Sequence, residues 1–135
     1  MKIIENFTEE QVNQMLNLFQ QAWWSNTRTL EDIKIMVQNT NLLLGVIDEN
    51  NNLIGFSRAL TDTTFKAYIL DVIIDDNHRN NGIGKILIEM LLKHPKIKNV
   101  KHVELICKNE LMPFYAKWGF KAIQDDVHFV RRTRI

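Results

Sequence analysis

The sequence has few of the residues that mark disulfide-stabilised, repetitive or linker-rich proteins. Its 135 residues include one cysteine, Cys107, two prolines and five glycines. A single cysteine excludes a disulfide within the chain and is typical of a reducing compartment. The sequence shows no internal repeat, low-complexity tract or proline-rich linker. We therefore predict one domain over residues 1–135, long enough to bury a core without disulfides or a structural metal.

Long apolar runs and an excess of one charge sign are also missing. The longest apolar run, 86–92, is interrupted by Glu89, whereas a membrane span needs about 20 residues. The first residues lack the apolar core of a signal peptide. Seventeen Lys and Arg nearly balance sixteen Asp and Glu, while nucleic-acid-binding proteins usually carry a basic excess. We expect a cytoplasmic protein that binds neither membranes nor nucleic acid, and no metal, because no His, Cys or Asp cluster has metal-ligand spacing.

Hydrophobic periodicity and turn residues predict the element order β-α-α-β-β-β-α-β-α-β-β. Thr8 and Thr29 precede amphipathic segments and are suited to cap two helices. The polar turn 48–52 joins two apolar segments into a hairpin. The predicted strands are 2–7, 42–47, 53–61, 65–74, 102–107, 120–123 and 127–132, and the predicted helices are 9–22, one after Thr29, 83–93 and 110–118. This pattern indicates a mixed α+β domain, with one mostly antiparallel twisted sheet of about seven strands flanked by four helices.

A glycine-containing loop is the most informative local feature. The long strand that ends near Ile74 is followed by a polar loop, which opens a helix at Ile83. Free backbone N–H groups at a helix N-terminus carry a partial positive charge and suit a phosphate. Gly82 and Gly84 allow close approach to the backbone, and Arg79 and Lys85 add full positive charge.

Two common nucleotide-binding motifs do not fit this loop. A P-loop requires a glycine where Arg79 stands and a Ser or Thr where Ile86 stands. A dinucleotide fingerprint requires a third glycine at the position of Leu87. What is left is the pattern Arg-x-x-Gly-x-Gly over residues 79–84.

With this pattern the chain resembles the GCN5-related N-acetyltransferase (GNAT) superfamily, in which a similar loop binds acyl-CoA. A second motif, Phe114-Tyr115-x-x-x-Gly119-Phe120, looks like the family's signature on its last helix. The order of elements is also similar. Trp24, Arg28 and the segment 55–62 resemble a subgroup of small bacterial members.

The resemblance implies an acetyl-CoA-dependent N-acetyltransferase that transfers an acetyl group directly to a primary amine of a small molecule or peptide. The N–H of Val72 would contact the thioester carbonyl, and Asn109 would bind the pantetheine or serve only as a helix cap. Tyr115 would be the general acid that protonates the leaving thiolate, the alternative being a half-buried core tyrosine. The residues implied to bind acetyl-CoA are Val72, Ile74, Arg79, Asn80, Asn81, Gly82, Ile83, Gly84, Lys85, Asn109 and Tyr115.

Asp71 is a candidate base or amine contact. Strict alternation along the long strand puts Tyr68 and Val72 on one side and Asp71 and Ile73 on the other. If the acceptor cleft is on the Asp71 side, its carboxylate can bind or deprotonate the amine. Otherwise Asp71 is a structural partner of Arg58 or His102.

The acceptor itself cannot be identified from the sequence. The family covers its acceptor with the segment between the first two helices, so we expect Trp24, Arg28 and Arg58 to bind substrate. An aromatic side chain with an arginine suits an apolar body that bears a carboxylate. Two alternatives are a non-catalytic CoA-binding sensor and an enzyme that acetylates aminoacyl-tRNA, the latter disfavoured by the near-neutral charge. We expect a monomer or a homodimer.

Overall fold

The computed structural model describes residues 1–123 and 126–134. It divides the chain into two compact units, Met1–Leu105 and Ile106–Ile135. The first unit contains five strands and three helices, and the described residues of the second contain one short α-helix. The elements are β1 (Lys2–Ile4), α1 (Glu9–Gln20), α2 (Leu30–Asn39), β2 (Leu42–Ile47), β3 (Leu53–Thr61), β4 (Lys66–Ile74), α3 (Ile83–Lys93), β5 (His102–Glu104) and α4 (Met112–Ala116), with 3₁₀ turns at Asp76–His78 and Asn109–Leu111.

The strands form one sheet in the order β1-β2-β3-β4-β5. Neighbouring strands are antiparallel except for the parallel pair of β4 and β5. The hairpin between β2 and β3 closes at the predicted polar turn, where the Asp48 carboxylate accepts hydrogen bonds from the backbone N–H groups of Asn50 and Asn52. Asn51 takes a positive φ of 63° there, a conformation that asparagine tolerates well.

Helices α1 and α2 cover one face of the sheet. Thr8 and Gln11 form a reciprocal capping box that starts α1, and the Thr29 hydroxyl caps α2. Phe56 of β3 is fully buried under α1. Its ring makes edge contacts with Phe7 and Phe19 at centroid distances of 5.9 and 5.7 Å. The core of this face is therefore aromatic at its centre.

Helix α3 packs on the other face. A Cβ built on Gly55 would lie 2.8 Å from Cγ2 of Ile83, so the glycine allows the first residue of α3 to approach β3 closely. Ile83, Leu87 and Leu91 are buried along this contact. The position of Gly55 thus fixes where the N-terminus of α3 meets the sheet.

The fold class predicted from the sequence is confirmed as a mixed α+β structure with a mostly antiparallel sheet and four helices. The bounds of β2, β3 and α3 agree with the predicted ones. The strands predicted at 2–7 and 102–107 and the helices predicted at 9–22 and 110–118 are shorter in the structure. Strand β5 ends at its last backbone pair, Glu104 with Tyr68, although the apolar pattern continues to residue 107. The first residues of the last predicted helix form the 3₁₀ turn Asn109–Leu111 instead. Within the described residues, no helix is long and apolar enough to cross a membrane.

The last two predicted strands are wrong for the described part of the chain. Residues 120–123 and 127–132 form no strand there, so the sheet has five strands and not about seven. Residues 124, 125 and 135 lie outside the described residues. The apolar side chains Val127, Phe129 and Val130 are exposed. An alternating sequence favours an extended backbone, but only pairing with a neighbour makes it a strand.

Replacing Phe56 by Ala should lower the free energy of unfolding by about 3–5 kcal/mol, because the cavity would lie at the centre of the α1 face. Phe65→Ala is the matched control, since that ring is 64% exposed and its loss should cost less than about 0.5 kcal/mol. Urea unfolding monitored by circular dichroism measures both. Equal losses in the two variants would contradict the packing described here.

Candidate functional site

One edge of β4 is left free over most of its length. Strand β5 pairs only with Lys66, Ala67 and Tyr68, and among the described residues no other strand pairs with that side of β4. The N–H of Asp75 donates to the carbonyl of Ile54 in β3. Because successive N–H groups of an extended chain point to opposite sides, those of Ile74 and Val72 point to the free edge.

A β-bulge interrupts β4 beside this edge. Phe56 and Arg58 of β3 pair with Ile73 and Leu70, so β4 carries one extra residue between these pairs. Asp71 lies in this interval with φ of 56°, a left-handed conformation that costs a non-glycine residue roughly 1–2 kcal/mol. The buried hydroxyl of Ser57, opposite the bulge, donates to the carbonyl of Leu70 at 3.1 Å. The hydroxyl thus satisfies a backbone acceptor at the irregular point of the ladder.

The Asp71 carboxylate is held by three side chains on the α1 face. One oxygen accepts hydrogen bonds from Arg58 Nε at 2.7 Å and Arg28 at 2.8 Å. The other accepts from Trp24 Nε1 at 3.3 Å. Burial alone would raise the pKa of Asp71, but the bonds and charges of Arg28 and Arg58 outweigh it, and the net pKa is lowered. The carboxylate is therefore charged at neutral pH and fully engaged.

Because of the bulge, the prediction of which β4 side chains share a face of the sheet is wrong. Tyr68 pairs with Leu60 and Ile73 pairs with Phe56, and both partners lie on the same face of β3. Tyr68 and Ile73 therefore share a face, although strict alternation had put them on opposite faces. Alternation fails here because the extra residue reverses the phase of every side chain that follows it.

The turn that leads from β4 to α3 is fastened to the end of α1. The Gln21 amide donates to the Asp75 carboxylate at 3.0 Å and accepts from the backbone N–H of Asp76 at 2.9 Å. His78 Nδ1 lies 2.9 Å from the same carboxylate. Burial raises the pKa of Asp75, but the bonds from Gln21 and His78 lower it more, and the net pKa is lowered. Gln21 thus ties the start of the glycine loop to the helical layer.

The glycine loop presents the start of α3 to solvent. Gly82 is the N-cap of α3, with φ of 76° and no side-chain capping bond. A Cβ built on Gly82 would meet nothing within 4 Å, so the space beside the N-cap is open, and the first N–H groups of a helix are donors that suit an anion. Arg79 pairs with Asp76 at 2.8 Å and Lys85 lies 3.8 Å from Glu89, all partly exposed. These residues fit a phosphate-bearing group.

Tyr115 and Asn109 belong to the second compact unit. Tyr115 is buried and makes edge contacts with the rings of Phe114 and Phe120. Burial, with a smaller effect from Cys107, raises its pKa to about 12. Asn109 begins a 3₁₀ turn, and its side chain caps neither that turn nor α4. The alternative role of a plain helix cap is therefore not realised for Asn109.

The structure brings all three residues that were expected to bind an acceptor, Trp24, Arg28 and Arg58, together around Asp71. Arg28 also lies over the ring of Phe19, with Cζ 4.7 Å from the centroid. Sequence reasoning missed Gln21 and Ser57. Gln21 lies in no recognisable motif, Ser57 stands at an unspecified position of the segment 55–62, and each acts on a partner that is distant in the sequence.

Comparison with known proteins identifies the class. Residues 3–131 match the family model described as an acetyltransferase (GNAT) domain, and the chain therefore belongs to that family. It is 32% identical over 103 residues to "Uncharacterized N-acetyltransferase ycf52" of Pyropia yezoensis, an alignment that covers 74% of this chain and 59% of that protein. The chain spans 56–59% of the length of this relative and of three other curated relatives from red algae and Arabidopsis thaliana. The finer prediction of a small bacterial member is not confirmed, because this relative is algal.

Solved structures share the fold. One is described as "a putative acetyltransferase belonging to the gnat family" and comes from Xanthomonas campestris. It has a TM-score of 0.82 at 19% identity, and the alignment covers 99% of this chain and 94% of that one. An aminoglycoside 6'-N-acetyltransferase complexed with coenzyme A has a TM-score of 0.67 at 19% identity, covering 78% of this chain and 61% of that one. In the described part of this chain, no group of three or more His, Cys, Asp or Glu is arranged to hold a metal ion.

Replacing Asp71 by Asn should lower the free energy of unfolding at pH 7 by about 3 kcal/mol, because two half-buried guanidinium groups lose their counter-charge. The folded-state pKa of Asp71 lies below its ordinary value of 3.8, so its stabilisation is present above that pH. It is lost as the pH falls through the folded-state pKa. The difference between wild type and variant should therefore shrink below about pH 4 in urea titrations.

Asp76→Asn is the matched control for this experiment. It breaks an ion pair of 2.8 Å with Arg79 whose side chains are both more than half exposed, which should cost at most about 1 kcal/mol. A loss in Asp71→Asn no larger than that in Asp76→Asn would show that the Asp71 cluster does not stabilise the fold.

Proposed function

We propose that this chain is an acetyl-CoA-dependent N-acetyltransferase that acts directly on a primary amine of a small molecule or peptide. Membership of the GNAT family and the coenzyme A complex of a structural neighbour support the proposal. The observation that carries it is the continuity of the free β4 edge with the uncapped N-terminus of α3. An extended arm ending in a pyrophosphate matches this combination of free strand edge and anion site.

The proposed binding residues divide into two groups. The backbone of Val72 and Ile74 pairs with the pantetheine arm as an added strand would. The pyrophosphate lies on the glycine loop, where backbone N–H groups and two cations meet it. The residues of this loop are Arg79, Asn80, Asn81, Gly82, Ile83, Gly84 and Lys85. For Asn109 we propose a contact with the pantetheine.

Acetyl-CoA would supply the acetyl group as a thioester, so that transfer forms a C–N bond, breaks a C–S bond and releases one proton of the amine to solvent, from which the phenolate of Tyr115 is reprotonated. The N–H of Val72, fixed by the adjacent bulge, stabilises negative charge on the carbonyl oxygen. Tyr115 donates its phenolic proton to the leaving sulfur. Its raised pKa of about 12 keeps the phenol protonated at neutral pH. The contacts of Asp71 favour partnership with Arg58 over the alternative of a base, because two guanidinium groups lower its proton affinity.

We further propose that both compact units act together as one domain over residues 1–135, since the family model spans both.

For localisation we propose the cytoplasm, because the single cysteine fits a reducing compartment. The protein acts as a monomer or a homodimer.

Tyr115→Phe should lower kcat at saturating acetyl-CoA by about 100-fold or more, because the general acid is lost. Coenzyme A affinity should change less than about threefold, since the ring and its contacts stay. Thiol release from acetyl-CoA with a panel of primary amines measures the rate, and calorimetry measures the affinity. Wild-type turnover in this variant would remove the general acid assignment. Tight coenzyme A binding without thiol release for any amine would favour a non-catalytic sensor.

Gly82→Val should weaken coenzyme A binding by roughly tenfold, because a β-branched residue is an outlier at positive φ and would shift the loop. Gly82→Asn is the matched control, since asparagine tolerates this conformation and a side chain there has open space. Calorimetric titration with coenzyme A compares the three proteins. Equal affinity in wild type and Gly82→Val would place the phosphate site elsewhere.

A further inference from the structure

The sheet face beyond the Asp71 cluster is open. On the α1 side, Arg58 and Leu60 of β3 pair with Leu70 and Tyr68 of β4, so these four side chains share one face, here called the open face. Leu60 is 41% and Tyr68 43% exposed, although residues 56 and 73 of the same face are buried under α1. The open face is therefore a mixed apolar and aromatic surface with arginine at its inner border.

The inner border of the open face carries an uncompensated positive charge. Arg28 and Arg58 both bind the same oxygen of Asp71, so two guanidinium groups are close neighbours with one carboxylate between them. Among residues 1–123 and 126–134, no other carboxylate pairs with either group. The cluster therefore has a net charge of +1.

Both guanidinium groups keep hydrogen-bonding capacity. Asp71 engages Nε of Arg58 and one terminal nitrogen of Arg28, out of the three nitrogens in each group. The Arg28 side chain is 30% exposed and that of Arg58 14% exposed. No buried side-chain nitrogen in the described part of the chain lacks a partner, so the nitrogens that Asp71 leaves free face solvent. Trp24 is 46% exposed, and its Nε1 donates a hydrogen bond to the same carboxylate.

We propose that the acceptor amine carries a carboxylate, which binds the Arg28–Arg58 pair, and an apolar body that lies on the open face. This inference rests on the proposed acetyltransferase function and names the acceptor class. A guanidinium fork matches a carboxylate in shape and donor spacing. A single negative charge neutralises the net +1 of the cluster, whereas a phosphate dianion would leave an excess of negative charge. Asp71, which holds both guanidinium groups, directly precedes Val72 in the chain, so the same bulge carries the proposed carboxylate site and the proposed oxyanion donor.

The test compares acids with their neutral amides. Phenylalanine, leucine and 4-aminobutanoate are each assayed against the corresponding carboxamide, which keeps the amine and the carbon skeleton but removes the charge. Phosphoethanolamine tests a phosphate in place of the carboxylate. Thiol release from acetyl-CoA gives kcat/KM, and calorimetry gives the affinity without turnover. For at least one pair, the acid should exceed its amide by about tenfold or more in kcat/KM and in affinity.

Arg28→Met should abolish this preference and reduce the acid-to-amide ratio to about one, and this ratio, not the absolute rate, is the readout, because Arg28 also holds Asp71. Lys34→Met is the matched control, because it removes one exposed positive charge from α2 and should leave the ratio unchanged. Thermal unfolding of each variant shows whether it is folded. If Arg28→Met does not fold, the wild-type ratios decide the inference alone.

The outcomes separate the two proposals. No thiol release with any amine, but Arg28-dependent binding of an acid, would support the carboxylate site and overturn the acetyltransferase function. Turnover or binding of amides equal to that of acids would overturn the carboxylate site and leave the function standing. A preference for phosphoethanolamine over every acid would also overturn it. If neither the amides nor the acids bind, the proposed carboxylate site is wrong and the open face does not bind the acceptor.

Discussion

The structure around the candidate site depends on one strained residue, Asp71, in the bulge of β4. Its left-handed backbone is unfavourable by itself, and it persists because the carboxylate is fixed by Trp24, Arg28 and Arg58. Ser57 supports the same point from the opposite face. Strain in the backbone is thus offset by electrostatics on one side of the sheet and by a hydrogen bond on the other.

The bulge also determines which backbone groups and side chains of β4 point to each edge and each face of the sheet. The strand is paired with β3 on one edge, while beyond Tyr68 its other edge has no strand partner in the described part of the chain. The extra residue keeps Asp71 and Ile73 facing α1 and directs the N–H of Val72 to the free edge. The anchored turn at Gln21 and the close approach of Ile83 to Gly55 then fix where α3 begins. The bulge and these two contacts therefore align the free edge with the helix N-terminus.

The sequence predicts best those features whose causes are local. The capping box at Thr8, the hairpin turn at Asp48 and the start of α3 at Ile83 each depend on a few neighbouring residues, and all are found as predicted. The bulge could not be predicted, because it depends on Arg28 and Arg58, which lie 43 and 13 residues from Asp71. The last two strands fail for a related reason: residues 127–132 alternate, but alternation does not supply a pairing partner.

Because one carboxylate serves two purposes, the proposed acceptor site and the proposed oxyanion donor are physically linked. The Asp71 carboxylate holds Arg28 at the border of the open face, and its own backbone precedes the N–H of Val72. Asp71 uses one nitrogen of each guanidinium group, so the pair has donors for a second carboxylate while it holds the first. A carboxylate that binds these remaining donors does not displace Asp71. The proposed acceptor site is therefore compatible with the strained bulge that directs the N–H of Val72 to the free edge.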